Sequence, residues 1–455
     1  MTKDMTKGSP IKLILLFCIP LLFGNLFQQL YNMVDTIVVG KYIGVEALAA
    51  VGATGALQFL FIGFVTGLCL GFSIPIAQDF GAKNISSMKK SFTSSIYLSV
   101  FFSIFMTILT LTITKPLLVL LNTPENIIEQ SYDYIFIIFA GISSIVLYNL
   151  LSSVLRALGD SKSPLIFLII ASIINIILDI LFVNQFNAGV KGVAYATVIS
   201  QTVSGLLCLI YIKTKFSILH LTKEDWTLDI KSLLRSIKYG VPMGGQFAIT
   251  AIGAIILQVA INKLGSDVVA SVTAMQKIQM LVFMPMETLG VTLATYCGQN
   301  LGAQKIDRIK KGMKQSTILI LSYSIFAFIF MALFGKVISL LFINSSDVQI
   351  IDMVYKCILI NASFYPFLAI IFLYRNSIQG LGYSTIAMMA GLFELISRSI
   401  VALFILSGDY GFDLICFANP IAWVSANFIL IPVYIFAIKK LNKQSEFLIK
   451  EHKQC

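Results

Sequence analysis

IAQDFGAKN (residues 76–84) and YCGQNLGAQK (residues 296–305) are two copies of one phrase: Gln78, Gly81 and Ala82 return as Gln299, Gly302 and Ala303, 221 positions later. Working outward, Gly44 and Glu46 in GKYIGVEALAAV (40–51) return as Gly265 and Asp267 in NKLGSDVVASVT (262–273) at the same offset. VLRALGDS (154–161) is answered by SIQGLGYS (377–384) at an offset of 223, and Pro20 by Pro242 at 222. Matches that keep their order and a nearly constant offset make the chain a tandem duplication.

The repeating unit is apolar. Hydrophobic residues make up 57% of the 455 positions, charged residues 12%, and mean hydropathy is +0.89. Soluble domains carry about 25% charged residues, so this much apolar surface needs lipid around it. A bilayer core of roughly 30 Å takes about 20 apolar residues per helix. Runs of that kind are read at 11–39, 53–78, 92–121, 134–155, 164–182 and 192–212 in the first repeat, and at 240–262, 272–298, 316–342, 354–378, 385–406 and 418–438 in the second. The expected fold is therefore all-α, twelve transmembrane helices in two six-helix lobes. An even number of spans per repeat gives the lobes the same orientation, related by an axis along the membrane normal with a substrate path between them. The expected divisions are an amino-terminal lobe (1–212), a linker (213–238), a carboxyl-terminal lobe (239–438) and a basic tail (439–455).

The net charge of +11 is not a nucleic-acid signature, because the basic residues lie in short segments between apolar runs and most Phe lie within the runs. Counted by side, 25 Lys and Arg fall with the termini and the even-numbered connections, against six opposite: Lys41, Lys115, Lys191, Lys263, Lys336 and Lys356. That imbalance predicts both termini in the cytoplasm. The other face collects acids: Glu46, Glu125, Glu129, Asp133, Asp267, Asp347, Asp352, Asp409 and Asp413. Seven scattered cysteines and two histidines, His220 and His452, predict neither a disulfide framework nor a metal centre. The first apolar run is too long for a signal-peptide core and reads as a retained helix.

Four acids interrupt apolar spans: Asp35, Asp179, Glu287 and Glu394. A carboxylate at mid-membrane costs about 2.5–3.5 kcal/mol on insertion scales, so each needs a partner, a proton or a cavity. Asn175 and Asp179 stand one turn apart on one helix face, an amide–carboxylate pair suited to a proton relay or to Na⁺. Glu394 and Arg398, four apart, have the spacing of an internal ion pair. Gln276 and Gln279, with Met280 and Met284, are candidates for a chamber wall, since methionine adapts to varied ligands.

With NLFQQLYNMVDTIVVGKYIG (25–44) and LRALGDSKSP (155–164), the duplicated phrases resemble the multidrug and toxic compound extrusion (MATE) family over nearly the whole chain. The resemblance implies two lobes forming a V around a central cavity that opens alternately to each side. It also implies export of organic cations and amphipathic compounds against inward flow of H⁺ or Na⁺. It assigns ion coupling to Asp35, with Asp179, Asn175, Tyr31, Tyr134, Asn149 and Thr197 in the surrounding polar cluster, and a bend of the first helix at Pro20 or Gly24. Some family members carry acids on the seventh and tenth helices; here Gln246 stands near the former and the latter shows none, which leaves Glu287 as the acid for a cationic substrate. The expectations that follow are a plasma-membrane antiporter, not an enzyme, acting as a monomer without cofactor or nucleic acid. Its partners are the bilayer and small cationic or amphipathic substrates. The competing expectation is a flippase for lipid-linked or polysaccharide precursors, whose anionic headgroups would require a basic cavity; ATP-binding motifs are absent.

Overall fold

The computed structural model describes residues 4–343, 345–408 and 411–454, with side chains through Gln444, and among these residues there are helices and no strands. The first repeat folds as α1 (Pro10–Val38), α2 (Val45–Ala53), α3 (Gly55–Gly81), α4 (Ile85–Leu120), α5 (Glu125–Ala140), α6 (Ile142–Ala157), α7 (Lys162–Ile180) and α8 (Gly189–Lys215). The second gives α9 (Ile230–Lys263), α10 (Ser266–Gly302), α11 (Ile306–Ser339), α12 (Val348–Ser363), α13 (Tyr365–Gly380), α14 (Ser384–Leu406) and α15 (Phe412–Gln454). Ten helical stretches are long and apolar enough to cross a bilayer, and the bent pairs α5–α6 and α12–α13 bring the number to twelve when each pair counts as one span.

Run length alone says nothing of bends in these two spans. They bend by 47° and 52°. At Gly141 the approach of α8 is so close that an added Cβ would lie 2.4 Å from Val198 Cγ2, so glycine, the weakest helix former short of proline, is required there. In the second repeat Pro366 occupies the first turn of α13, and its missing N–H ends the ladder of α12. Pro20, by contrast, sits within one continuous helix, α1.

The duplication is visible in the backbone. Lys83 and Gln304 both take φ of +57° at the end of α3 and α10. Around them, Lys83 N–H donates to Phe80 O and Asn84 N–H to Asp79 O, just as Gln304 N–H donates to Leu301 O and Lys305 N–H to Asn300 O. This is the same helix-ending motif twice. Gly44 and Gly265, and Gly159 and Gly382, likewise share positive φ.

Two compact units result. One holds Leu16–Ala248 and the other Met5–Leu15 with residues from Ile249 onward. These are not the bare halves of the sequence, because each lead-in to a repeat's first helix packs with the unit built mainly from the other repeat. In the first unit, Arg235 at the start of α9 donates to Asp79 (2.8 and 3.0 Å) and Gln78 (2.8 Å). α9 then lies backbone-to-backbone on α3, where a Cβ on Gly71 would come within 2.4 Å of Gly240 Cα and one on Gly67 within 2.6 Å of Met243 O. Small residues that let backbones meet are how membrane helices pack. In the second unit, Met5 N–H donates to Gln299 Oε1 (2.9 Å), Lys305 Nζ to Thr6 O (2.8 Å) and Arg308 Nη1 to Gly8 O (2.8 Å).

Large apolar side chains point outward where lipid would meet them, including Phe101, Ile104 and Ile108 on α4 and Ile325, Phe326 and Leu333 on α11. Lysines pair with acids in the connections opposite the termini: Lys115 with Glu129, Lys191 with Asp133, Lys336 with Asp352 and Lys356 with Asp413. Asp409 lies outside the described residues. The six cysteines described are buried and free, as small hydrophobes.

Candidate functional site

In the first unit the apolar runs of α1 and α7 bring their acids together. The Asp35 and Asp179 carboxyls face each other. Asn175 and Asp179 are fully buried, and no donor or acceptor among the described residues reaches the amide of Asn175 or either oxygen of Asp179; Asp35 Oδ1 is equally without a donor. Tyr31 and Tyr134 close the site, both buried and both within electrostatic reach of the two carboxyls. Each carboxyl-bearing helix passes into a wide π turn within four residues of its acid, Val39–Ile43 after Asp35 and Leu181–Gln185 after Asp179. The two turns touch. Such widened turns interrupt the ordinary ladder and concentrate at functional positions.

Two amides complete the cluster and were missed from sequence. Gln201 on α8 faces the Tyr31 hydroxyl, and Gln58 on α3 faces that of Tyr134 while donating to Thr54 Oγ1 at 2.9 Å. A lone Gln in an apolar run gives no signal of its own; the signal available was Gln201 standing one turn after Thr197. Thr197 and Asn149 take a lesser place. Thr197 donates to Val193 O (3.0 Å) and Asn149 to Ile145 O (2.9 Å), each the carbonyl one turn back on its own helix.

The second-unit candidates on α10 divide between an exposed stripe and the buried residues flanking it. Gln276, Met280 and Glu287 are exposed along one stripe, whereas Gln279 and Met284 are buried in packing, Gln279 against Tyr365. Glu287 makes no hydrogen bond or ion pair among the described residues, with Lys277 or otherwise. Gln246 is half-buried on the part of α9 that belongs to the first unit. Gly24, on α1, would tolerate a Cβ in ordinary contact with Leu165 and Leu168.

Arg375 changes the charge picture. Counted among the loop cations although it falls within the run at 354–378, it lies inside α13, 7% exposed, and ion-pairs with Glu394 of α14. Arg398 reaches the other Glu394 oxygen at 3.5 Å and donates from Nε to Asn419 Oδ1 at 3.3 Å. Arg156, also counted with the loops, belongs to the last turn of α6 and donates to Ser152 and Ser153. Among the described residues, the buried charge of the second unit is therefore the expected Glu394–Arg398 pair with a second arginine, Arg375, on the same carboxylate. Among the described residues, no group of three or more His, Cys, Asp or Glu could hold a metal ion.

A duplicated bundle of helices long and apolar enough to cross a bilayer, with two facing buried carboxyls in its first unit, has the architecture of a multi-pass membrane protein. The MatE family description matches the chain twice, at residues 20–181 and 242–404, once on each repeat. This chain belongs to that family of multidrug efflux transporters. It is 29% identical over 384 residues to the probable multidrug resistance protein YpnP of Bacillus subtilis strain 168, covering 83% of this chain and 84% of that one. To YoeA of the same organism, also a probable multidrug resistance protein, it is 31% identical over 317 residues, 68% of each chain. A crystal structure of a MATE in the bent conformation has the same fold, with a TM-score of 0.90 at 23% identity over 98% of this chain and 100% of the other.

Proposed function

We propose that the protein is a secondary antiporter that exports cationic or amphipathic compounds in exchange for H⁺ or Na⁺, with the coupling ion taken at Asp35, Asp179 and Asn175. One observation carries the reading: two carboxyls face each other inside the amino-terminal lobe while, among the described residues, no hydrogen-bond donor reaches Asp179 and no partner reaches the Asn175 amide. Paired carboxylates in a poorly solvated site repel, and one monovalent cation removes that repulsion. Loading it draws α1 toward α7, and the adjoining π turns supply slack where the helices yield. Tyr31, Tyr134, Gln58 and Gln201 position the pair, with Thr197 and Asn149 in the wall behind. Gln276, Met280 and Glu287 offer a cationic substrate an exposed polar stripe on the second unit, and Gln246 is a separate candidate contact on the first. Pro20 and Gly24 remain the proposed bending points of α1. Alternating access of a central cavity, a monomer, cytoplasmic termini and the plasma membrane complete the reading.

A second reading, export of anionic or lipid-linked precursors, draws support from the Arg375–Glu394–Arg398 cluster, whose excess charge is positive. Reconstituted vesicles decide between them. A fluorescent lipophilic cation should leave under an imposed pH or Na⁺ gradient, and Asp35→Asn and Asp179→Asn should each abolish the gradient-driven part. Undiminished ion-driven efflux in both variants rejects the coupling site; transport of anionic cargo alone selects the second reading.

A further inference from the structure

The first unit contains a second feature that ion coupling does not use. A groove of about 820 Å³ runs along α4 from Phe92 to Ser103, against α6 and the last turns of α8, and its mouth is formed by Lys213, His220 and Trp226. Its size falls within the roughly 300–1,000 Å³ of small-ligand sites. At 1.5 Å per residue the α4 wall is about 16 Å long. The walls are mainly aliphatic and aromatic, with Ser99, Ser103 and Ser143 among them. Ser99 is 4% exposed, lines the groove, and its hydroxyl has no hydrogen-bond partner among the described residues.

The mouth has the opposite character. Lys213 is exposed and forms no ion pair or side-chain hydrogen bond among the described residues, its carbonyl alone being used by His220 Nε2 at 2.7 Å. The roof is held in place from α4: Tyr97 O–H donates to Trp226 O (2.6 Å) and Lys89 pairs with Asp225 (3.2 Å). A largely apolar slot with one buried, unpartnered hydroxyl and a free cation at its entrance fits a ligand with an acyl chain, an ester or hydroxyl group, and an anionic head. The slot opens beside Val100 and Leu209, which point outward from membrane-spanning helices and are 53% and 42% exposed. The bilayer itself therefore supplies the occupant. We infer that this groove is a binding site for an anionic phospholipid, with an acyl chain along α4, the glycerol-ester region at Ser99 and the phosphate at Lys213. Because the roof belongs to the connection leading into α9, occupancy braces the segment between the repeats.

The sequence has two tryptophans, so Trp423→Phe leaves Trp226 as the reporter. The full chain is reconstituted into phosphatidylcholine vesicles containing either brominated phosphatidylglycerol or brominated phosphatidylcholine, and quenching is measured against mole fraction. Brominated phosphatidylglycerol should quench at about fivefold lower mole fraction, the advantage one lysine has near an anionic surface. Lys213→Gln should equalise the two lipids and Lys213→Arg should keep the preference. A chain carrying Trp423 alone should show no preference. Equal quenching in the parent, or a preference surviving Lys213→Gln, overturns the assignment. So does relief of quenching by tetraphenylphosphonium, which would make the groove a port for lipophilic cations.

Discussion

Glu394→Gln should cost about 4–5 kcal/mol of stability, more than any other single side-chain change in the second unit. The three members of its cluster, Arg375, Glu394 and Arg398, are 7%, 4% and 8% exposed. Glu394 accepts from both arginines, and Arg375 Nε has no acceptor of its own. Removing the carboxylate leaves two buried guanidinium charges facing an amide oxygen and Asn419. Breaking one buried pair typically costs about 3–5 kcal/mol, and here one acid serves two bases, which places the loss in the upper half of that range. Replacing all three by Met, Leu and Met should be close to neutral or stabilising by about 1–4 kcal/mol, since no charge then remains to desolvate. The buried cysteines make a thiol-reactive dye a direct reporter of thermal unfolding in detergent. Glu394→Gln should melt on the order of 10 °C below the parent, given about 2–4 °C per kcal/mol, and the triple variant at or above it. A single variant that melts with the parent would mean the arginines are solvated, and the reasoning would fail. If the triple variant folds yet loses anion transport and keeps cation transport, the cluster is a substrate contact as well.

Two further outcomes are expected. Thr222 N–H, with the Thr222 hydroxyl and Lys89, holds the Asp225 carboxyl below its usual range, and Ser232 does the same for Asp229. A depressed folded-state pKa gives stability that is present above about pH 4 and lost as pH falls through the lower folded value. Trp226 emission in the Trp423→Phe background should therefore stay flat down to about pH 4 and change only below it; a transition at higher pH would contradict the geometry. Gly71→Val drives a side chain into Gly240 Cα and should destabilise by about 1–3 kcal/mol or more, whereas Gly52→Ala, with nothing within 4 Å, should not lower the melting temperature by a comparable amount. Equal melting of both in the dye assay would disprove the close α3–α9 seam.

Much of this was legible before any coordinates. Helix number followed from run length, and the repeat from phrases such as DFGAKN that encode a backbone turn, so Lys83 and Gln304 had to share a conformation. Asp35 and Asp179 were legible because a charge in lipid demands a reason. The remainder depended on geometry that spacing cannot supply. Arg375 falls near the end of the run at 354–378, in the polar stretch YRNSIQG, and only the fold shows that it turns inward to Glu394 rather than standing with the loop cations. Gln58 and Gln201 are single amides in apolar runs, and their meaning comes from the tyrosines opposite. Gln279 and Gln276 are three residues apart, enough to turn one into the core and leave the other outside.

The crossed lead-ins set a limit on how the chain can be divided. A cut in the connection between α8 and α9 would give a leading fragment that keeps Met5–Leu15, whose place is on the α10–α11 turn, but lacks the stretch of α9 that carries Arg235, Gly240 and Gly244. The trailing fragment would own that stretch without Asp79 and α3 to receive it. Neither piece holds a complete core, so a single repeat on its own would leave the receiving surface for a lead-in uncovered unless a second copy supplied one.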